Sequence, residues 1–263
     1  MIKLIVSDLD GTLMQKDHTV RLEDQEALRK AFESGIIITF ASGRMYPEIR
    51  HIMKLIGLDV HAVSQNGAYV HTSDKNLIRH DSFETELIRQ LAVAAKETPF
   101  FTVMCSPDTY VVTSHSAENE KVQQNLLAPL IVMPNALEAL GGELMCCKIS
   151  YLGDIEQLLT FKQHLLSVHG DKIDAYISDV NCLDVMPRHI SKGAGLKALQ
   201  AQLGILPEET ICIGDSFNDV SMFQSTPHSF AMSSSHSDIK AQAAYVVDRV
   251  ADAVDWALKQ AVN

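Results

Sequence analysis

The chain has 263 residues and a net charge of −11, and 46% of its residues are hydrophobic. This length suits one large domain or two modest ones, and the apolar content is high enough for a packed core. The acidic balance argues against nucleic acid as a partner, and no apolar run reaches the ~18 residues of a membrane span. An anionic substrate is still compatible with this charge, because a metal ion and a few basic groups can reverse the local field.

The cysteines indicate a reducing compartment. The five cysteines are an odd number without a C-x-x-C pair, so we expect buried free thiols and a cytoplasmic location. The chain begins with a strand-like run rather than with a basic and apolar signal segment. The eleven histidines lack the spacing of a zinc site, and the sequence does not indicate an oligomeric state.

The first motif follows an apolar, β-branched run, Ile2–Val6, which predicts a buried strand. Asp8 and Asp10 come directly after it, and Gly11 and Thr12 complete the sequence D-x-D-G-T. In an open parallel sheet, binding sites form beyond the carboxyl ends of the strands. Two carboxylates placed there can both reach one Mg²⁺, or one can act as a nucleophile and the other as acid and base. The alternative is a solvated turn after a strand.

A strand–helix–strand unit is predicted next. Apolar residues at three- and four-residue spacings from Ala27 to Phe32 predict a helix face, and Gly35 is placed to end the helix. The run Ile36–Phe40 predicts a second buried strand. A unit of this length builds a parallel sheet.

Ser42, Gly43 and Arg44 follow this second strand, and a helical stretch begins a few residues later. A hydroxyl, an unhindered glycine amide and a helix N-terminus are together typical of a phosphate-binding loop. The alternative is that Ser42 only caps the helix, with Arg44 in solvent or in a salt bridge. A third short strand, residues 59–63, leads to Asn66 in an Asn-Gly turn.

The middle of the chain, residues 83–186, has a different pattern, in which helices and hairpins are segregated. This arrangement predicts an α+β domain inserted into the first one. The expected elements are a helix over 87–95, strands over 100–105 and 110–113, a helix over 122–127, a strand over 145–151, a helix from Asp154, and strands over 173–177 and 182–185.

Alternating strands and helices return in residues 187–263. Lys192 lies near the start of a predicted helix, where a positive charge is unfavourable unless an anion is close. A solvated lysine is the alternative. A closing helix is expected over residues 250–262.

A second acidic motif, Gly214-Asp215-Ser216-Phe217-Asn218-Asp219, follows the apolar run 211–213. Asp215 leaves the predicted strand and Asp219 starts a helix, so both carboxylates can face one ion. A capping role is the alternative for Asn218 and Asp219 and does not explain Asp215.

In their order and spacing, these motifs resemble those of the haloacid dehalogenase superfamily of phosphatases. Asp10 indicates phosphate ester chemistry within it, since transport ATPases of this group have Thr there and the dehalogenases lack the pair. The middle segment is similar to the type IIB cap of Cof-like hydrolases. The resemblance implies an α/β fold with a Rossmann-like parallel-sheet core, residues 1–82 and 187–263. An inserted α+β cap, residues 83–186, would select the substrate.

The resemblance also implies roles for individual residues. Asp8 would be the nucleophile, and Asp10 would be the acid and base. Mg²⁺ would be bound by the Asp8 side chain, the Asp10 backbone carbonyl and Asp215. Asp219 would orient a metal-bound water or Lys192.

The substrate implied by the resemblance is a small phosphorylated metabolite, such as a sugar phosphate. Its phosphate oxygens would be stabilised by five groups, namely Ser42, the amides of Leu9 and Gly43, Lys192 and Asn218. Arg44 and Asn66 are weaker candidates for substrate contacts. The chain departs from the subgroup at Ser233–Ser235, where Gly-Asn-Ala is common.

Two other functions share most of these features. A phosphotransferase of the phosphomannomutase kind would have every core motif. A non-catalytic phosphosugar-binding protein would need the fold but would not require the proton donor Asp10. A dehydrogenase or methyltransferase is disfavoured, since no G-x-G-x-x-G follows the first strand.

Overall fold

The two ends of the chain build one sheet of eight strands, and the middle builds a second sheet of six. A computed structural model describes residues 1–124, 126–179 and 181–261. The strands are β1 (Leu4–Ser7), β2 (Ile37–Ala41), β3 (His61–Ser64), β4 (Tyr69–His71), β5 (Leu77–His80), β6 (Phe101–Cys105), β7 (Tyr110–Val112), β8 (Leu130–Val132), β9 (Lys148–Leu152), β10 (Ile173–Asp179), β11 (Cys182–Pro187), β12 (Thr210–Gly214), β13 (His228–Met232) and β14 (Tyr245–Val247).

The helices alternate with these strands over most of the chain. They are α1 (Leu22–Glu33), α2 (Tyr46–Ile56), α3 (Thr85–Ala94), α4 (Ala117–Gln123), α5 (Ala136–Ala139), α6 (Ile155–His169), α7 (Lys192–Leu203), α8 (Val220–Phe223), α9 (Ser237–Lys240) and α10 (Val250–Ala261). Short 3-10 turns cover Gln65–Gly67, Pro207–Glu209 and Phe217–Asp219. Residue 262, predicted to end the last helix, lies outside the described residues.

The terminal segments form one compact unit, Met1–His80 with Ser191–Asn263, and Asp81–Ile190 form another. The sequence had placed these two boundaries after residues 82 and 186. Within the described ranges, no helix combines the length and the apolar character needed to cross a bilayer.

Strand β1 lies at the centre of the terminal unit, in the order β14-β13-β12-β1-β2-β3-β4-β5. It pairs in parallel with β12, Leu4 opposite Thr210, and with β2, Leu4 opposite Ile37. The loops after β1, β2 and β12 therefore meet at one edge of the sheet, where their carboxyl ends lie. The α/β prediction is thereby confirmed.

Helices cover both faces of this sheet, so its central strands β12, β1 and β2 are buried except at Ile37, the first residue of β2. One core contains residues of α1, α2 and α10, and the other contains residues of α7, α8 and α9. The predicted apolar face of α1 is correct except at Phe32, which is 44% exposed. Its side chain points about 100° away from that of the buried Ala31.

The hairpin of β4 and β5 was not predicted. It adds two antiparallel strands to the parallel part of the sheet. Strand β5 begins with Leu77 and Ile78 and ends with two polar residues, so it lacks the alternation of apolar and polar residues that identifies a half-buried strand.

The middle unit has the strand order β10-β11-β9-β6-β7-β8. Its core includes Leu91 of α3, Leu158 of α6 and Tyr151 of β9. The helix predicted over residues 122–127 is displaced, because Ser116 and Asn119 form a capping box that starts α4 earlier. Residue 125 lies outside the described part, and β8 and α5 were not predicted.

Candidate active site

Asp8 and Asp10 leave the end of β1 in different directions. Asp8 is 4% exposed, and its backbone N–H donates to the carbonyl of Ile213 in β12, at 2.9 Å. Asp10 lies on the surface. Gly11 follows with φ +83°, and a Cβ built there would lie 2.5 Å from Oδ2 of Asp215. Glycine is therefore required at this turn for both its backbone conformation and its lack of a side chain.

Three carboxylates gather beyond the ends of β1 and β12. One oxygen each of Asp8, Asp215 and Asp219 lies within 4.8 Å of the others. Thr12 Oγ1 donates to Asp215 Oδ1 at 2.8 Å. Asp219 Oδ2 accepts the backbone N–H groups of Asp215 and Ser216, each at 2.9 Å. The cluster is thus held by local hydrogen bonds as well as by strand pairing.

Lys192 supplies a positive charge to this cluster. Its Nζ donates to Asp8 Oδ1 and to Asp219 Oδ1, each at 2.6 Å, and the side chain is 1% exposed. Lys192 is the first residue of α7, where the helix dipole disfavours a cation. The two carboxylates offset that cost, so the alternative of a solvated lysine is wrong.

The start of α7 is packed against the Gln65–Gly67 turn. Gly67 has φ +99°, and a Cβ there would lie 2.1 Å from the carbonyl oxygen of Ser191. Ser191 caps α7 by accepting the N–H of Ala194 at 3.1 Å. This close approach fixes the position from which Lys192 enters the site.

Burial dominates the electrostatics of the acidic cluster. It raises the pKa of Asp8 well above its ordinary value, Asp219 raises that pKa further, and Lys192 opposes both. Burial and Asp219 likewise raise the pKa of Asp215. Burial alone would lower the pKa of Lys192, but Asp219 and Asp8 outweigh it, and that pKa is raised. One ammonium thus faces three carboxylates, an excess of negative charge that suits a cation.

Arg44 pairs with Asp10 on the exposed side of the site. Arg44 Nε donates to Asp10 Oδ2 and Nη2 donates to Asp10 Oδ1, both at 2.8 Å. The buried Glu48 lies behind the guanidinium, with Oε1 3.6 Å from Nη1. Arg44 is therefore in a salt bridge, the alternative that the sequence left open for it.

The remaining predicted site residues line the loops around these groups. Ser42 is buried, and its Oγ accepts the N–H of Arg44 at 3.1 Å. Helix α2 is capped at Met45, so the alternative that Ser42 caps it is wrong. Asn218 Nδ2 donates to Asn66 Oδ1 at 3.1 Å, and Asn66 has φ +56°.

Leu9 and Gly43 are the last two of the predicted site residues. Leu9 is buried, and its carbonyl accepts the N–H groups of Thr12 and Met14 in the turn after β1. Gly43 is partly exposed in the loop between β2 and α2. The predicted site residues thus all belong to loops or element ends of one unit.

The family model for haloacid dehalogenase-like hydrolases matches residues 5–258. The chain belongs to this family. Membership of the haloacid dehalogenase superfamily, inferred from the motifs, is thereby confirmed, and the protein is a hydrolase by family.

Relatives within the haloacid dehalogenase family match most of the chain. Phosphatase YwpJ of Bacillus subtilis is 28% identical, over 91% of this chain and 92% of that protein. HMP-PP phosphatase of Klebsiella pneumoniae is 28% identical, over 92% and 88%. A haloacid dehalogenase-like hydrolase from Bacteroides thetaiotaomicron has the same fold, with a TM-score of 0.88, 24% identity and coverage of 97% and 99%.

Two contacts in this hydrolase site were not anticipated. Thr12 belongs to the first motif, but its bond to Asp215 depends on the pairing of distant strands. Glu48 lies three residues after Met45, and its Oε2 accepts the N–H of Met45 at 3.0 Å. That spacing is a capping-box signal, which predicts the helix start but not the contact with Arg44.

The departure at Ser233–Ser235 lies at the end of β13. The N–H of Ser233 donates to the carbonyl of Val247 at 2.8 Å, and the N–H of Ser235 donates to that of Met232 at 3.0 Å. The first bond extends the pairing of β13 with β14, and the second forms a turn after β13.

Proposed function

We propose that the protein is a Mg²⁺-dependent phosphatase that hydrolyses a small phosphorylated metabolite through a phosphorylated Asp8. The observation that carries the proposal is the buried cluster of Asp8, Asp215 and Asp219 around Lys192. The phosphatase names of two relatives support the reaction class. Cytoplasmic residence remains an expectation based on the cysteines, all five of which are free thiols.

The donor set suits a hard divalent cation. All candidate side-chain ligands are carboxylate oxygens, which Mg²⁺ prefers, and the clustered negative charge is too large for Lys192 alone. Asp8, Asp215 and the backbone carbonyl of Asp10 would hold the ion, which would neutralise phosphate charge. Asp219 already accepts three hydrogen bonds, from Lys192 and two amides, so it suits an orienting role.

In the first step, a carboxylate oxygen of Asp8 attacks phosphorus and the bond to the leaving alcohol breaks. Asp10 gives that alcohol its proton. Lys192, Ser42, Asn218 and the amides of Leu9 and Gly43 would stabilise the negative charge on the transferring group. Burial of Asp8 keeps competing water away from the nucleophile.

In the second step, water attacks the phosphorus of the acyl phosphate. Asp10 takes the proton of that water, inorganic phosphate leaves, and the carboxylate of Asp8 is restored. Both steps balance without a further reactant. They require only that the same carboxyl group gives and then takes one proton.

For substrate choice, we propose that the unit Asp81–Ile190 selects the leaving group, as the cap of a sugar-phosphate phosphatase would. Sugar phosphates remain the proposed class. HMP-PP belongs in the same screening panel, because several relatives at 25–28% identity carry its name. Release of inorganic phosphate into water, rather than appearance of label on a second hydroxyl, would separate hydrolysis from phosphotransfer.

The decisive variant is Asp8→Asn. Asparagine keeps the size and can still accept a hydrogen bond from Lys192, but it cannot form the acyl phosphate. We expect turnover of p-nitrophenyl phosphate to fall by at least about 10³-fold, with an unchanged circular dichroism spectrum. The control is Asp59→Asn, an exposed aspartate of the same unit. Turnover of Asp8→Asn at the wild-type rate would exclude the proposal.

The metal has its own test, which does not depend on activity. MgCl₂ should raise the melting temperature of the wild type and not that of Asp215→Asn, because only the native cluster binds the ion tightly. In the assay, a chelator should abolish turnover and added Mg²⁺ should restore it. Full activity in the chelator would rule out a required metal.

A further inference from the structure

Arg44 holds Asp10 at two points. Its Nε and Nη2 each lie 2.8 Å from a different carboxylate oxygen of Asp10. Such a fork fixes both the position and the plane of a carboxylate, which a single contact from a lysine would not. The Arg44 side chain is only 13% exposed, whereas that of Asp10 is 51% exposed. The pair thus joins the largely buried guanidinium of Arg44 to the solvent-facing carboxylate of Asp10.

Arg44 is itself fixed from behind. Glu48 has a fully buried side chain, with one oxygen 3.6 Å from Nη1 of Arg44 and the other bonded to the N–H of Met45. The backbone of Arg44 is held on both sides, since its N–H donates to Ser42 Oγ and its carbonyl accepts the N–H of Gln65 at 2.9 Å. The start of α2 therefore determines where the guanidinium stands.

The two-point contact with Arg44 leaves part of the Asp10 carboxylate accessible. Each carboxylate oxygen has two lone-pair sites, and Arg44 uses one on each. The other two remain for water, to which half of the Asp10 side chain is open. Asp10 is thus oriented by Arg44 and within reach of solvent.

We propose that Arg44 is the positioning residue that makes Asp10 an efficient base in the second step, the hydrolysis of the phosphorylated Asp8. This rests on the phosphatase function proposed above. Water forms the new bond to phosphorus, the bond from phosphorus to Asp8 breaks, and the proton of water passes to the carboxylate that Arg44 holds. Arg44 itself neither gains nor loses a proton.

This role differs from the substrate contact that the sequence suggested for Arg44. Three nitrogen atoms of the guanidinium face protein carboxylates, two at Asp10 and one at Glu48. A residue that bound substrate phosphate would affect the first step and the apparent affinity. A residue that positions the base for water affects the decay of the phosphorylated protein, which is the same species for every substrate.

The test follows the phosphorylated protein directly, in Arg44→Met, which keeps the aliphatic stem, and in Arg44→Lys, which keeps the charge. Enzyme is mixed with p-nitrophenyl phosphate, chased with excess unlabelled substrate, and quenched with acid to count phosphate bound to protein. We expect the decay constant to fall about 10- to 100-fold in Arg44→Met. The control is Lys54→Met, an exposed basic residue of the same helix, which should leave decay unchanged.

The steady state gives a second readout. The leaving group of p-nitrophenyl phosphate needs little help from Asp10 as an acid, so for this substrate decay should limit turnover, kcat and KM should fall together, and kcat/KM should stay within about threefold of the wild type. An alkyl phosphate needs the proton of Asp10 in the first step, so its kcat/KM should fall. A merely structural role for Arg44 would lower kcat/KM for both substrates.

Several results would overturn the proposal. Unchanged decay in Arg44→Met, or a raised KM with an equal fall in kcat/KM, would assign Arg44 to the first step or to substrate binding. Full recovery in Arg44→Lys would show that two-point contact is unnecessary. Glu48→Gln keeps the hydrogen-bond acceptor for Met45 and should slow decay by a smaller factor. Failure of the phosphatase proposal looks different, because Asp8→Asn would then stay active.

Discussion

Asp8 and Asp10 are two residues apart, yet their surroundings are opposite. Asp8 is 4% exposed and shares the ammonium of Lys192 with Asp219. Asp10 has half of its side chain in solvent and forms a two-point salt bridge with the guanidinium of Arg44. Side chains in a strand alternate between its two faces, so residues two apart would face the same way. Strand β1 ends at Ser7, and the contrast therefore comes from the turn around Gly11.

In the mechanism proposed above, the contrast separates two chemical requirements within one short loop. Asp8 as the nucleophile would need fixed charges in a dry environment, and Lys192 would supply a compact point charge. Asp10, as the group that exchanges protons with alcohol and water, would need contact with solvent and a fixed orientation, and the planar Arg44 would supply the orientation. The Arg44 variants described above test the exposed pair, and the variants below test Lys192, then the hydrogen bond from Thr12 to Asp215, and then Asp24, a buried carboxylate without a bonded cation.

The largest effect is expected on the buried side, in Lys192→Met. Removal of the ammonium leaves Asp8 and Asp219 facing each other without a bonded cation and removes a proposed phosphate ligand. We expect kcat to fall by about 10²–10³-fold. The measurement is steady-state turnover of p-nitrophenyl phosphate at saturating Mg²⁺.

Lys197→Met is the control for this variant, because Lys197 lies on the same helix and is exposed. It should retain wild-type turnover. If Lys192→Met kept more than about a tenth of the activity, the buried side would not depend on its lysine, and the contrast between the two sides would fail.

A smaller effect is expected at the edge of the acidic cluster, in Thr12→Val. This near-isosteric change removes the hydrogen bond to Asp215 and leaves the charges in place. The Mg²⁺ concentration for half-maximal activity should rise by about tenfold, in line with other groups that orient a metal ligand. Thr39→Val is the matched control, since Thr39 is buried in the same sheet and its Oγ1 has no partner in the described structure. An equal shift in both variants would refute the specific role of Thr12.

The smallest effect concerns Asp24 of α1, a buried carboxylate remote from the motifs. Its Oδ1 accepts the N–H of Ala251 at 2.7 Å, and its Oδ2 has no hydrogen-bond partner among the described atoms. Burial raises its pKa. The folded state therefore binds protons more tightly than the unfolded state, so this group's contribution to stability falls as pH rises between the unfolded and folded pKa values.

The comparison variant is Asp24→Asn, which keeps an acceptor for Ala251 and cannot titrate. From acidic to neutral pH, the melting temperature of the wild type should decline relative to this variant by about 2–4 °C. Thermal unfolding at a series of pH values measures it. Parallel curves would show that Asp24 is not affected by its burial.

Local patterns predicted most of the strands and helices of the terminal unit. Residues 2–6, 36–40 and 211–213 are short apolar runs before turn residues, and each became a strand. The β4–β5 hairpin was missed because its strands have only three and four residues, and β5 does not alternate between apolar and polar residues. In the middle unit, Val122 and its apolar neighbours suggested a helix that the capping box at Ser116 starts earlier.

The site was predictable as a set of residues and less so as a set of contacts. The motif spacings brought Asp8, Lys192 and Asp215 into consideration, and the structure places them together. The pairing of Arg44 with Asp10 was only one of the alternatives for Arg44. The contact between Glu48 and Arg44 was not foreseen, although the two residues have the i, i+4 spacing at which opposite charges meet at a helix.

The parallel pairing of β1 with β12 has a consequence during synthesis. Leu4 pairs with Thr210, so β1 leaves the ribosome long before β12 has been synthesised. At 5–20 residues per second, that delay is about 10–40 s. Until then Asp8 has neither Lys192 nor Asp215 beside it, and the nascent chain cannot act on the phosphate esters around it. The proposed site is therefore complete only after the second terminal segment has been synthesised and β12 has paired with β1.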